Sequence, residues 1–257
     1  MKTGVSTSCL FPALTEQALD TLAQMGIKTT EVFLNSPSER TSEFALQLVK
    51  TATAAGMEIV SVHPYSSEAE GVSFFSRYPR RFDDEAEDYR RYFEFCNWVG
   101  AQMLVFHGAR SFMTLEPGFY FERFSRLSDI ARSFGVRLCQ ENVARCYSGK
   151  PEFIRNMAEA VPDVGFVLDI KQALRADVTP FEMLEAMQGH LAHLHLSDHD
   201  KSCDCLVPGQ GVFDFAALAK KLKLIEYNGA VIIELYRWNY ENEQQLAESL
   251  HILEEFL

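Results

Sequence analysis

Eight short apolar runs recur along the 257-residue chain, and a stretch with helical periodicity follows each of them. The runs are Gly4–Cys9, Thr29–Leu34, Met57–Val62, Gln102–Phe106, Val136–Gln140, Gly165–Leu168, Leu191–Leu196 and Ala230–Ile233. The helices expected between and after them cover Thr15–Met25, Ser38–Ala55, Asp83–Gly100, Phe119–Phe134, a short segment reaching Pro162, Pro180–Gln188, Phe213–Leu224 and Tyr240–Leu257. Glycines at the ends of several of these act as stops, and Thr15 followed by Glu16 reads as a helix N-cap. Strands buried on both faces and joined by crossover helices belong to a parallel sheet. No Gly-x-Gly-x-x-Gly follows the first run, so the main cue for an open dinucleotide-binding sheet is missing. Eight such units in this length predict an α/β fold, a closed (β/α)8 barrel formed by residues 1–257 as one domain.

A barrel brings the carboxyl ends of all its strands to one rim. That makes the residues ending the apolar runs important: His63, His107, Glu141, Asp169 and Glu234, with His193 and His195 inside Leu191–Leu196. On a strand His193 and His195 share a face. Glu141, Asp169, His195 and Glu234 end four consecutive strands and form a hard, oxygen-rich set suited to a divalent ion. Three like charges on one rim repel strongly without a cation. Mn²⁺, Mg²⁺ or Co²⁺ fits such a set better than a structural zinc, with a catalytic Zn²⁺ still admissible. His63 and His107 are either ligands of a second ion or contacts for substrate hydroxyls. His193, deeper on the same face, reads as support for the site or as core. Asp198 and His199 could orient His195 or touch substrate. Gly209-Gln210-Gly211 is either a plain turn or a backbone cradle for an anion.

A net charge of −12 argues against a general binder of nucleic acid or anionic membranes. Apolar runs fall well short of the roughly 20 residues that span a bilayer. The opening MKTGVSTSCLFPALTEQ lacks a long apolar signal region, so a cytoplasmic location is the expectation. Six scattered cysteines match no zinc-knuckle spacing and are expected as free thiols. The stretch 66–82, SSEAEGVSFFSRYPRRF, is the longest expected loop, and Phe74, Phe75 and Tyr78 suggest a lid over the site or an interface element.

Taken together, EVFLN, SVHPY, VFHG, QEN, LDI, HLHLSD, PGQGVFDF and IIEL occur in an order that resembles the xylose isomerase-like TIM barrels. That superfamily includes sugar epimerases, hydroxypyruvate and inosose-type enzymes, and the endonuclease IV branch. The resemblance covers nearly the whole chain and places Glu141, Asp169, His195 and Glu234 on the shared metal ligands. It places His63 and His107 on histidines that complete a second metal site in the nuclease branch. Gln172 stands where both the nuclease and ketose epimerase branches have histidine, and Cys203-Asp204-Cys205 replaces the nuclease Asp-x-His pair. Lys201 stands where ketose epimerases carry arginine.

The resemblance implies a divalent-metal-dependent isomerase or epimerase of a sugar, sugar phosphate or sugar acid. Glu141 and Glu234 would serve as acid and base through an enediolate, and Gln172 and Lys201 would hold substrate oxygens. The rivals are a metal-dependent phosphodiesterase or cyclitol-type dehydratase on the same rim, and a barrel that binds sugar without catalysis. The expected partner is a small molecule rather than nucleic acid or membrane, and a homo-oligomer is allowed.

Overall fold

The computed structural model describes residues 1–65, 68–187 and 189–256. Its strands are β1 (Lys2–Ser6), β2 (Thr29–Phe33), β3 (Glu58–His63), β4 (Met103–Phe106), β5 (Arg137–Glu141), β6 (Gly165–Asp169), β7 (Leu191–Leu196) and β8 (Ala230–Ile233). They pair in sequence order, every pair parallel, and β8 returns to β1 to close the barrel. The helices are α1 (Thr15–Gln24), α2 (Ser42–Ala55), α3 (Glu68–Phe74), α4 (Pro79–Val99), α5 (Pro117–Ser133), α6 (Pro151–Ala160), α7 (Ile170–Arg175), α8 (Pro180–Ala186), α9 (Phe215–Leu224) and α10 (Gln244–Phe256). The expected single (β/α)8 barrel is the observed fold. Among the described residues, no helix is long and apolar enough to cross a membrane.

Element ends shift where local chemistry overrides periodicity. The chain leaves β1 at Ser6 and enters a one-turn 3₁₀ helix, so Gly4–Cys9 is not one strand. Thr15 is the first residue of α1 rather than its cap, and its hydroxyl donates instead to the Phe33 carbonyl at 3.1 Å. Thr41 caps α2 by accepting from the Phe44 N–H at 3.2 Å, so the helix begins at Ser42, four residues later than expected. Pro79 opens α4 ahead of the acidic run, consistent with proline's tolerance in a helix's first turn. Gln188 and Leu257, the expected ends of two helices, lie outside the described residues.

The pleat divides the buried residues into two sets. Val5, Val32, Val62, Leu104, Leu138, Leu168, Leu194, Val231 and Ile233 join the main core against the helices. Val105, Cys139, Val167 and Ala192 form a small separate apolar cluster. Ser6, Glu31, Ser61 and His193 are fully buried and joined through Glu31. Because side chains alternate, Glu141 and Asp169 stand two residues beyond Cys139 and Val167, on the same face at the carboxyl rim. The six cysteines are free thiols.

The largest departure concerns 66–82. Residues 66 and 67 lie outside the described residues, but α3 and the start of α4 occupy most of the remainder. Phe74 and Phe75 are only 1% and 2% exposed, so neither is a lid. Phe74 meets Phe82, Tyr89 and Phe106, while Phe75 stacks on Tyr120 with ring centroids 4.2 Å apart. Only Tyr78 of the three aromatics is exposed. The rings are apolar enough to be drawn into the core beside β4, where they stabilise packing rather than gate the rim. Phe74→Ala should therefore cost roughly 3–5 kcal/mol of stability, the range for truncating a buried phenylalanine. Urea unfolding checks this, and an unchanged midpoint with altered substrate affinity would restore the lid.

Candidate metal centre and active site

β5, β6, β7 and β8 deliver Glu141, Asp169, His195 and Glu234 to one point. One ligand atom from each of the four lies within 4.8 Å of the others, and all four residues are buried. His195 Nδ1 is 3.5 Å from Glu141 Oε1, 3.6 Å from Glu234 Oε2 and 3.9 Å from Asp169 Oδ2. Two of the ligands are fixed through their flanking backbone. Asn142 pins the end of β6, accepting from the Asp169 N–H at 2.7 Å and donating to the Asp169 carbonyl at 3.0 Å. Cys9 Sγ bonds both sides of Glu234, donating to the Ile233 carbonyl and accepting from the Leu235 N–H.

His195 is oriented from below. Its Nε2 lies 3.1 Å from Glu31 Oε2, which also accepts from Ser61 Oγ at 2.8 Å and lies 3.2 Å from His193 Nε2. A ring N–H donated to Glu31 leaves Nδ1 as the atom facing the three carboxylates, the carboxylate–histidine arrangement that supports metal ligation. Burial alone would lower the His195 pKa, but Glu31, Glu234 and Glu141 hold it well above the ordinary value. His193 is thus a support for Glu31. Glu31 itself was legible only as a carboxylate inside an otherwise uncharged strand, TTEVF.

His63 and His107 converge on the other side of Glu141. His63 Nδ1 bonds the Pro64 carbonyl at 2.9 Å, so the ring proton sits there and Nε2 is free to accept or ligate. That Nε2 lies 3.1 Å from His107 Nε2 and 3.7 Å from Glu141 Oε2, while His107 Nε2 is 2.7 Å from the same oxygen. Despite that proximity, Glu141 Oε2 accepts no aligned hydrogen bond, and His195 Nδ1 likewise has no hydrogen-bond partner among the described residues. Buried polar atoms left in this state are costly, and a bound cation would relieve that cost. The buried acidic and histidine groups can therefore hold a metal ion.

Sequence reasoning missed Lys171. Asp169 ends β6 and caps α7, its Oδ1 accepting from the Gln172 N–H at 2.9 Å. That turn folds Lys171 back, and its Nζ forms close ion pairs with Asp169 Oδ2 and Glu234 Oε2. Burial opposes ionisation of Glu234, but Lys171 and His195 bring its pKa down to about 2. Asp169 moves the other way: burial raises it to about 7 against the pull of Lys171, with the Glu141 and Glu234 charges adding to the rise. Glu141 would also rise on burial, but His107, His195 and His63 hold it well below the usual carboxylate range.

His63, His107, Glu141, Lys171 and Glu234 line a cavity of about 500 Å³, while Asp169 and His195 are buried outside its lining. Phe11, Phe33, Tyr65, Tyr236 and Trp238 form its apolar wall, and Arg145, Arg175 and Arg237 line it as well. Gln172 lines the cavity, and its Oε1 accepts from the Ala144 N–H at 3.1 Å. Lys201 does not: it is exposed and absent from the lining. The Gly209-Gln210-Gly211 turn holds no free cradle. The N–H groups of Gly209 and Gly211 donate to Asp198 at 3.0 and 2.9 Å, so Asp198 organises this loop rather than His195.

The model of the xylose isomerase-like TIM barrel family matches residues 19–256, and the chain belongs to that family. An uncharacterized protein of Methanocaldococcus jannaschii is 28% identical over 146 residues, covering 53% of this chain and 48% of that protein. The chain thus spans about half the length of the curated relative it matches. Among solved structures, a D-tagatose 3-epimerase-like protein superposes with a TM-score of 0.80 at 22% identity, covering 100% of this chain and 97% of its own. A 3-keto-D-glucoside 4-epimerase from E. coli gives 0.78 at 18% identity, covering 99% of each chain. At these identities the likeness is one of fold.

The rise at Asp169 has a stability consequence. A folded-state pKa of about 7 against an ordinary 3.8 favours folding fully below the lower value and loses that contribution as pH rises through the upper one. Asp169→Asn carries no such charge. The thermal midpoint of EDTA-treated wild type should therefore fall relative to that variant between about pH 5.5 and 8, the interval around the raised value. A pH-independent difference between the two would contradict it.

Proposed function

We propose that the protein is an isomerase or epimerase acting on a small sugar, sugar phosphate or sugar acid, with a divalent ion held by Glu141, Asp169, His195 and Glu234. The observation that carries this reading is the convergence of those four buried ligand atoms within 4.8 Å, with Glu141 and Glu234 lining an open cavity. The described activities of two similar folds, a D-tagatose 3-epimerase-like protein and a 3-keto-D-glucoside 4-epimerase, agree with it. Mn²⁺, Mg²⁺ or Co²⁺ suits the oxygen-rich set, with Zn²⁺ as an alternative. When bound, the ion supplies Lewis-acid polarisation of a substrate carbonyl, which acidifies the neighbouring C–H.

The chain's own residues divide the remaining work. Asp169 and His195 hold position, the first through its cap on α7 and the second through Glu31. Glu141 and Glu234 flank His195 Nδ1 at 3.5 and 3.6 Å, so one can take a proton from the substrate carbon while the other returns it. Each needs one carboxylate oxygen for that exchange and one for ligation. Gln172 has its carbonyl oxygen occupied, which leaves its amide N–H groups to donate to a substrate oxygen. The aromatic wall offers an apolar surface to the C–H faces of a sugar, and the arginines lining the cavity suit a phosphate or carboxylate.

The His63–His107–Glu141 cluster favours one alternative: a second ion bridged by Glu141, as a two-metal phosphodiesterase would use. Incubation in D₂O with Mn²⁺ and a panel of ketoses, aldoses, sugar phosphates and sugar acids separates the readings. We expect carbon-bound deuterium in at least one substrate, with Glu141→Gln and Glu234→Gln each slowing exchange by about 10²–10⁴-fold. Metal-loaded wild type that exchanges nothing across the panel would contradict the assignment.

A further inference from the structure

Lys171 occupies a position that a bound ion needs. Its Nζ contacts Asp169 Oδ2 and Glu234 Oε2, the same two oxygens that face His195 Nδ1 at 3.9 and 3.6 Å. The side chain is only 4% exposed. A lysine in the first turn of a helix is electrostatically disfavoured by the helix's positive end, so its placement there is explained by the carboxylate pair and not by α7. An ion bound to these oxygens at about 2.0–2.6 Å would lie only a few ångströms from the ammonium. At that separation the repulsion between the two cations is strong in a buried site. The two therefore compete for the same oxygens.

We infer that Lys171 is a built-in counter-ion that holds the Asp169–Glu234 pair together until a divalent ion displaces it. This rests on the metal reading given above. Lys171 already lines the cavity, so its displaced ammonium has open space to enter beside Gln172. The arrangement has two consequences: the carboxylates are never left facing one another uncompensated, and the site binds its ion more weakly than the ligands alone would allow. A positive charge at this position can only disfavour a second cation, so the direction of the effect is fixed.

Calorimetric titration of the EDTA-treated protein with Mn²⁺, comparing wild type with Lys171→Met, tests the inference. We expect the variant to bind at least about tenfold more tightly, a difference of about 1.4 kcal/mol. Its metal-free thermal midpoint should also be lower, and saturating Mn²⁺ should restore it. Should the variant not fold, reductive methylation of wild type mapped by mass spectrometry reads the same event, with Lys171 protected without Mn²⁺ and modified with it. Equal affinities, or labelling of Lys171 that ignores Mn²⁺, overturn the role of Lys171 alone. If neither protein binds Mn²⁺, Mg²⁺, Co²⁺ or Zn²⁺, the metal reading itself fails and this inference falls with it.

Discussion

Three carboxylates held out of water beside one another dominate this structure. Glu141 and Asp169 end the neighbouring strands β5 and β6, and Glu234 directly follows β8, in a register set by the closed barrel, so none can retreat without disturbing the sheet. Their mutual repulsion must be met by positive charge or by protons. His63, His107 and His195 surround Glu141, and Lys171 bridges the other two. Burial still raises the Asp169 pKa well above its ordinary value despite that bridge. The rim is therefore a built cation site, occupied from within by an ammonium and suited to a stronger charge from without.

The polar layer beneath is a consequence of the same constraint. A barrel interior filled only with valine and cysteine would leave His195 free to rotate or to expose either nitrogen. Glu31, fully buried and braced by Ser6, Ser61 and His193, fixes which nitrogen faces the rim. Burying these groups is tolerable only because each is hydrogen-bonded or ion-paired to another. Orientation of the site thus reaches a full turn of the pleat deeper than the ligands themselves.

Much of this was legible in the sequence because strands and barrels are periodic. The alternation of apolar runs and amphipathic stretches carries the fold, and a polar residue closing each run marks the rim for Glu141, Asp169, His195 and Glu234. What was not legible depends on turns. Lys171 follows Asp169 by two residues, and only the capped turn of α7 folds it back over the carboxylates. Lys201, chosen by position in a motif, lies in a loop arranged around Asp198 and stays exposed. The misread lid at 66–82 had a usable signal: Phe82, Ala86, Tyr89 and Phe93 follow helical spacing, and Phe74 completes that buried face from the preceding helix.

The claim on which the rest stands is that Glu141, Asp169, His195 and Glu234 jointly bind one divalent ion. Anomalous diffraction from crystals soaked in Mn²⁺ tests it most directly, since the peak locates the ion without reference to activity. The prediction is a peak about 2.0–2.6 Å from a side-chain atom of each of the four, with the Lys171 ammonium moved away from Asp169 and Glu234. A peak coordinated by His63 and His107 alone, or a crystal soaked at saturating Mn²⁺ with Lys171 still bridging the two carboxylates and no density among them, would contradict it.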